Sequence, residues 1–265
     1  MSMAARGSLL LVTHGVEGRP GVALAHADAL RAREPAVDVR VACLKGEPGL
    51  DEALTGAHSP ITVVPLLMAD GFIMRLLRRR LAGRTGIMLR PPVGLDSRLA
   101  ELVRRRAAAA CAERRWPPKE SILLLVGHGT PQHPGSAAAT EHHAATVAAA
   151  GTFAQVRTAY LDQPSFLATV ASALDRPCAA VGLFVDDGPH GHDDVRKGLA
   201  RAGVPVVYTG AIGADPAILE LITGAAHLRR ATPGRARATS ARPASGSAPR
   251  PAHARAASGR SPLCP

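Results

Sequence analysis

The strongest constraint on the fold of this 265-residue chain is that its first half recurs in its second half. Four segments recur in the same order: 8–15 with 122–129, 41–44 with 158–161, 64–71 with 181–188, and 92–96 with 211–215. The first pair reads SLLLVTHG and ILLLVGHG. Ordered repetition of this kind predicts two similar halves, each built from the same succession of elements.

Each half alternates short apolar runs with Ala-, Leu- and Arg-rich segments of helical spacing. The apolar runs are typical of buried parallel strands, and they lie near residues 8–13, 37–44, 61–67, 86–90, 121–126, 154–161, 178–185 and 204–208. Strand–helix alternation predicts an α/β fold with two tandem flavodoxin-like half-domains, each a doubly wound parallel sheet, facing a central cleft. We predict halves at 1–112 and 121–228, joined by a linker at 113–120.

The formal net charge of +11 invites a nucleic-acid interpretation, but the charge is concentrated at the end of the chain. Residues 229–265 contain eight Arg and no Asp or Glu, so the remainder carries only +3. The composition of this tail predicts disorder. Non-specific contact with RNA or membrane through the tail stays open, but we expect no specific nucleic-acid partner.

Cysteine usage and hydropathy argue against a secreted or membrane protein. The four cysteines, Cys43, Cys111, Cys178 and Cys264, form no CxxC pair, and Cys43 and Cys178 lie in apolar, strand-like runs. The apolar run near the amino terminus is too short for a signal peptide, and no segment approaches the length of a membrane span. We expect a cytoplasmic protein, monomeric or homodimeric, with no membrane partner.

Two histidines of the second half are candidate metal ligands. His128 directly follows the first strand of that half, and His190 lies in the loop after its third strand. In a flavodoxin-like strand order these two strands are neighbours, so both loops open at the same sheet edge. Two neutral imidazoles bind first-row divalent ions yet hold them weakly enough for release, and a histidine also accepts a proton near neutral pH.

The first half does not repeat this pair. Ile73 occupies the position that corresponds to His190, in a loop where Phe72, Ile73 and Met74 either contact a flat ligand or pack in the core. A solvated polar loop is the simpler interpretation of His192, and His142 and His143 on a predicted helix are interpreted as surface residues. The glycines on both sides of His128 leave room for the backbone to approach a flat ligand.

These motifs resemble the CbiX/SirB group of sirohydrochlorin chelatases, which are class II tetrapyrrole chelatases. The resemblance rests on the strand–His–Gly start, the Leu-Phe-x-x-x-Gly-x-His segment at 183–190 and the repeated x-Gly-x-Asp segment, and it covers roughly residues 7 to 225. It implies metal insertion into a tetrapyrrole, with Co²⁺ or Fe²⁺ as substrate, no ATP and no organic cofactor. Cobalt would lead towards cobalamin and iron towards siroheme.

Carried over by position, the family's metal-binding and catalytic histidines correspond to His128 and His190. His14 matches the first family histidine of the other half, and Asp162 occupies the acidic position after the second strand, where the first half has Lys45. The predicted substrate-binding residues are Gly129, Thr130, Gly188, His192, Asp162, His14 and Phe72.

Three other functions stay open at this point. Loss of the first-half pair allows a non-catalytic protein that binds a tetrapyrrole or a metal. A nucleotide-binding flavodoxin-like protein is disfavoured because no GxGxxG or Walker pattern follows a first strand. Binding of nucleic acid through the Arg-rich tail is the third.

Overall fold

The computed structural model describes residues 6–131 and 135–227, and the predicted disordered tail therefore lies outside the described residues. The first half contains β1 (Arg6–Thr13), α1 (Val22–Arg33), β2 (Val37–Cys43), α2 (Leu50–Leu54), β3 (Ile61–Pro65), α3 (Phe72–Leu81), β4 (Ile87–Leu89) and α4 (Arg98–Glu113). The second half contains β5 (Ile122–Gly127), α5 (Gly135–Ala149), β6 (Gln155–Tyr160), α6 (Leu167–Ser172), β7 (Cys178–Gly182), α7 (Val195–Leu199), β8 (Val206–Ala211) and α8 (Ile218–Ala225).

The two halves form two four-stranded parallel sheets with the same strand order. The first sheet runs β2-β1-β3-β4 and the second runs β6-β5-β7-β8. Leu125 of β5, for example, pairs with Thr158 of β6 on one side and with Val181 of β7 on the other. This arrangement confirms the predicted α/β class with tandem flavodoxin-like halves, and it places the ends of β5 and β7 side by side.

Burial follows from the residue pattern of each element. Every residue of β5 is buried, as expected for a central parallel strand that is covered on both faces. On α3 the buried residues are Met74, Leu77 and Leu81, spaced three and four apart, while its arginines lie on the other face. Met74 therefore packs in the core, which is the second of the two alternatives given for its loop.

One hydrophobic core connects the two sheets. It contains β1 residues such as Leu9 and Leu11, β5 residues such as Leu123 and Leu125, and a row of α4 side chains between them. Each half has a second, smaller core on its outer face. The halves are therefore joined by apolar packing along α4 and not only by the chain connection. No helix among the described residues has the length and apolar character needed to cross a bilayer.

Predicted strand boundaries differ from the observed ones by up to three residues. The third strand of the second half ends at Gly182, although the apolar run continues to 185. Leu183 and Phe184 stay buried in the core after the chain has left the sheet, which is why hydropathy alone extended the strand. Between the halves, α4 ends at Glu113 and a short 3₁₀ turn spans Pro118–Glu120.

His143 is not a surface residue, which corrects the sequence interpretation. Its side chain is only 1% exposed, and its Nε2 lies 2.7 Å from the carbonyl oxygen of Gly94 in the other half. The contact is reciprocal, since Nε2 of His26 lies 2.8 Å from the carbonyl oxygen of Gly213. Each histidine donates to a carbonyl of the opposite half. His142, its neighbour on α5, is exposed as expected.

Stability should fall in mildly acidic solution because of His143. Burial, with a smaller effect of His142, lowers the pKa of the His143 imidazole below its ordinary value of 6.5. As the pH falls below 6.5, the unfolded chain therefore binds more protons than the native chain does. The contribution of neutral His143 to the free energy of unfolding is complete above pH 6.5 and is lost as the pH falls from 6.5 through the pKa of the folded state. Urea unfolding of wild type and His143→Gln across pH 5 to 8 tests this. We expect the free energy of unfolding to depend less on pH in the variant than in wild type. An equal pH dependence in the two proteins would contradict this prediction.

Candidate metal-binding site

His128 lies in the turn that leaves the sheet after β5. Its backbone carbonyl accepts hydrogen bonds from the N–H groups of Leu161 and Asp162, at 3.1 and 3.0 Å, which ties this turn to the end of β6. On the side chain, Nδ1 lies 2.8 Å from the carbonyl oxygen of Gly129 and 3.4 Å from a carboxylate oxygen of Asp162. The side chain is 42% exposed, so an ion in solution can reach it.

The side chain of Gln163 packs against the next two residues. Gly129 has φ +71°, and a Cβ there would lie 2.6 Å from the side chain of Gln163. The same Gln163 accepts a hydrogen bond from the backbone N–H of Thr130 at 2.8 Å. Both conditions favour glycine after His128, because a left-handed conformation and a crowded Cβ position exclude most other residues. Gln163 was not predicted from the sequence.

His190 begins a tight helical turn after β7. The turn spans His190–Asp194, and the N–H of His192 donates to the carbonyl of Gly188 at 2.8 Å. The imidazole Nδ1 of His190 lies 2.9 Å from a carboxylate oxygen of Asp194, one turn later. At 61% exposure, the His190 side chain is also open to solvent.

The two imidazoles meet, as the strand order predicted. The ring centroids of His128 and His190 are 4.9 Å apart, with an angle of 77° between the ring planes. In both rings the neighbours of Nδ1 are oxygen acceptors, so we assign the proton to Nδ1 in each. The neutral rings then carry their lone pairs on Nε2. Histidines that bind metals commonly have this arrangement, with the other ring nitrogen donating to a carboxylate or a carbonyl.

His14, the equivalent of His128 in the first half, lies close to this pair. Burial lowers the pKa of its imidazole, Lys45 lowers it further through its positive charge, and His128 and His190 add to this effect when they are protonated. His14 follows β1 as His128 follows β5, but Ile73 leaves His14 without the histidine that would correspond to His190.

The other predicted residues are placed as follows. Asp162 is beside His128, and Gly188 packs against Val16 of the first half so closely that a Cβ would lie 2.8 Å from its side chain. Nδ1 of His192 lies 2.9 Å from a carboxylate oxygen of Asp193. Phe72 is 53% exposed at the start of α3. No contact of His192 or Phe72 with the imidazole pair is seen.

Asp194, like Gln163, is a residue of this site that the sequence analysis did not predict. Its carboxylate orients the ring of His190. The signal was present in its spacing, because residues four apart face each other on a helical turn. It was missed because nothing indicated that the loop after β7 turns helical at His190.

Two imidazoles would fill only part of the coordination shell of a metal ion. In the described part of the chain, no three His, Cys, Asp or Glu side chains are grouped to hold a metal ion. A four-coordinate ion on two imidazoles keeps two positions for water or for incoming nitrogens. Cavities of about 540 and about 660 Å³ lie elsewhere and include neither histidine in their walls. The arrangement therefore favours transient binding of a divalent ion that exchanges with solvent.

Comparison with known proteins gives a consistent result. The CbiX family model matches this chain twice, over residues 8–110 and 122–226. A probable sirohydrochlorin cobaltochelatase of Halobacterium salinarum is 26% identical to this chain, and the match covers 81% of this chain and 89% of that protein. The two family matches coincide with the two sheets.

Solved structures with the same fold include chelatases. CbiX, the terminal enzyme for siroheme biosynthesis in denitrifying bacteria, has 28% identity and a TM-score of 0.70, with 83% of this chain and 98% of that chain covered. A multi-domain Deinococcus radiodurans protein with structural similarity to chelatases has 26% identity and a TM-score of 0.70 over 84% of this chain, which spans only 55% of that protein. SirB from Bacillus subtilis with Fe³⁺, at 20% identity and a TM-score of 0.63 over 84% of this chain and 95% of that chain, shares the fold.

Proposed function

This chain belongs to the CbiX family, and from that premise we propose that it is a sirohydrochlorin chelatase that inserts Co²⁺ or Fe²⁺ into sirohydrochlorin or a related tetrapyrrole without ATP. The observation that carries the proposal is the pair of imidazoles whose ring centroids lie 4.9 Å apart, each with an oxygen at Nδ1. Nitrogen donors of this kind suit both ions, and the affinity order alone does not choose between them because metal supply also matters.

In the proposed reaction, Nε2 of His128 and Nε2 of His190 hold the incoming ion, with water in the remaining positions. The carboxylate of Asp194 and the carbonyl of Gly129 fix the two rings through Nδ1. Ring nitrogens of the tetrapyrrole replace water first and the imidazoles afterwards. Because both side chains are partly exposed, neither the ion nor the macrocycle has to enter a closed cavity.

The same two residues account for the protons. Insertion of one divalent ion releases two pyrrole protons, and once the ion has moved to the macrocycle each Nε2 lone pair accepts one of them. The resulting imidazolium ions are stabilised by the carboxylates next to their Nδ1–H groups, Asp162 for His128 and Asp194 for His190. Two histidines thus balance two protons, and solvent then removes both.

A metal-by-metal insertion assay tests the proposal. Sirohydrochlorin is mixed anaerobically with Co²⁺, Fe²⁺ or Ni²⁺ and with protein at a small fraction of the substrate concentration, and the absorbance of the macrocycle is followed. We expect complete conversion with Co²⁺, Fe²⁺ or both. Conversion that stops at one macrocycle per protein molecule would instead indicate a tetrapyrrole-binding protein without turnover, which is the alternative that Ile73 suggests.

His14→Ala should be a milder variant than either member of the pair. His14 lies close to the two imidazoles, but Ile73 leaves it without a histidine partner in its own half, so it assists the macrocycle or the proton without being a principal ligand. We expect kcat/KM for insertion to fall by roughly five- to tenfold, which corresponds to the loss of about 1 kcal/mol, the net value of one typical contact. A loss as large as that of His190→Ala would show that the site is shared equally by the two halves.

A further inference from the structure

The first half lacks a histidine pair, but it contacts the segment that carries His190. We propose that helix α1 of the first half positions this segment, with His26 as the principal positioning residue. The inference rests on the proposed function, because it assumes that His190 binds the inserted ion. It assigns a role to His26 that is separate from any contact with metal or macrocycle.

His26 acts through Gly213. The His26 side chain is 6% exposed, and its Nε2 lies 2.8 Å from the Gly213 carbonyl oxygen. The N–H of Gly213 in turn donates to the carbonyl of Phe184 at 3.0 Å. A Cβ on Gly213 would lie 2.3 Å from the carbonyl oxygen of Val185, so the two backbones are in direct contact. His26 therefore fixes the turn on which the chain rests as it leaves β7.

A second contact from α1 reaches the same segment. The backbone N–H of Val22, in the first turn of α1, donates to a carboxylate oxygen of Asp186 at 2.7 Å. Gly21 leaves space for this carboxylate, since a Cβ there would lie 2.3 Å from it. Asp186 thus caps a helix of the opposite half, four residues before His190. A carboxylate at a helix amino terminus is favoured by the unpaired N–H groups and by the helix dipole.

Close contacts hold the segment between Asp186 and His190 in place. Gly191 packs on the carbonyl of Asp186 so closely that a Cβ would lie 2.3 Å away. The hydroxyl of Tyr208 donates to the carbonyl of Gly191 from the other side. Asp186 and Tyr208 thus hold Gly191, the residue after His190, from two sides. A shift of Asp186, or of Gly213 beneath it, is therefore expected to move the His190 ring relative to His128.

The mirror contact supplies a matched control. His143 donates to Gly94 in the same way, and Gly94 packs against the backbone of Met68. That segment leads to Ile73, which is not a metal ligand. Loss of His26 and loss of His143 therefore remove the same kind of hydrogen bond from the same kind of place, but only the first should disturb metal binding.

The test is a calorimetric titration of full-length protein with Co²⁺, in wild type, His26→Ala, His26→Gln and His143→Ala. A His128→Ala/His190→Ala double variant gives the background from other metal-binding side chains. We expect His26→Ala to weaken Co²⁺ binding by about tenfold, as loss of a residue that orients a ligand commonly does. His26→Gln keeps an N–H donor near the Nε2 position, so its Co²⁺ affinity should be within about twofold of wild type. The Co²⁺ affinity of His143→Ala should also be within about twofold of wild type.

Equal Co²⁺ affinity in His26→Ala and wild type, with a clear loss in the double variant, would overturn this inference and leave the proposed function intact. Wild-type affinity in the double variant would overturn both. If His26→Ala does not fold, Asp186→Ala and Asp186→Asn test the same segment, because asparagine still accepts the hydrogen bond from Val22. Loss in the first and recovery in the second are expected, and wild-type affinity in both would refute the inference.

Discussion

Alanine at position 128 or 190 is expected to lower the rate of metal insertion by about two to three orders of magnitude, the range for loss of a group that transfers protons and also holds the reacting ion. Each substitution removes one of the two Nε2 donors, and the remaining imidazole cannot hold a divalent ion in place while the macrocycle approaches. The measurement is kcat/KM with Co²⁺ and sirohydrochlorin under anaerobic conditions.

His142→Ala is the matched control, because this histidine is exposed on α5 and has no part in the site. Insertion should proceed at close to the wild-type rate in that variant. Retention of most activity in both His128→Ala and His190→Ala would rule out the pair as the insertion site, whatever the fold. Loss in only one of them would assign the ion to that residue alone.

Gly213→Ala is expected to destabilise the protein by about 1–3 kcal/mol, as a forced backbone displacement in a packed interior does. A methyl group there would lie 2.3 Å from the carbonyl oxygen of Val185 and 2.6 Å from its Cα, and neither backbone atom can rotate away. Relief of the overlap requires the contact between the turn and the chain after β7 to open. Urea unfolding measures the free energy of unfolding, and its dependence on urea concentration is compared between the variants.

Gly203→Ala controls for the loss of a glycine as such, since a Cβ there has no neighbour within 4 Å. Gly94→Ala provides a second case, because its Cβ would lie 2.2 Å from the Cα of Met68 in the corresponding place of the first half. Both Gly213→Ala and Gly94→Ala should unfold at lower urea than Gly203→Ala. Free energies within about 0.5 kcal/mol of wild type would show that the turns adjust at no cost.

The repeat made most of the fold predictable. Two copies of a strand–His–Gly start, with helices and apolar runs in the same order, predict two parallel sheets. The flavodoxin-like order then places the strand before His128 beside the strand before His190. That neighbour relation is local to one half, and it follows from the strand order of a flavodoxin-like sheet and not from hydropathy. The convergence of the two rings, 4.9 Å apart, followed from it.

Contacts between the halves were not predictable in the same way. Helix α5 is rich in alanine, so its sequence does not distinguish a buried face, and His143 was interpreted as exposed. Packing against the other half decides its burial, and no local pattern records that packing. A signal did exist in the repeat, because His26 and His143 occupy equivalent positions in the two halves.

The two halves have thus kept different parts of a common plan. Both retain the histidine after the first strand and the buried histidine on the following helix, whereas only the second half retains the histidine after its third strand. Each of the buried histidines donates a hydrogen bond to a backbone carbonyl of the opposite half. This pattern is what we expect if the first half is kept mainly to support the site of the second half.

Anomalous diffraction from a crystal of the full chain soaked in Co²⁺ tests the central claim most directly. We predict one strong cobalt peak at about 2.1 Å from Nε2 of His128 and from Nε2 of His190, the usual length of a bond between imidazole and a first-row divalent metal. A cobalt ion bound at His14 or His192, with neither Nε2 of the pair in contact, would contradict the account.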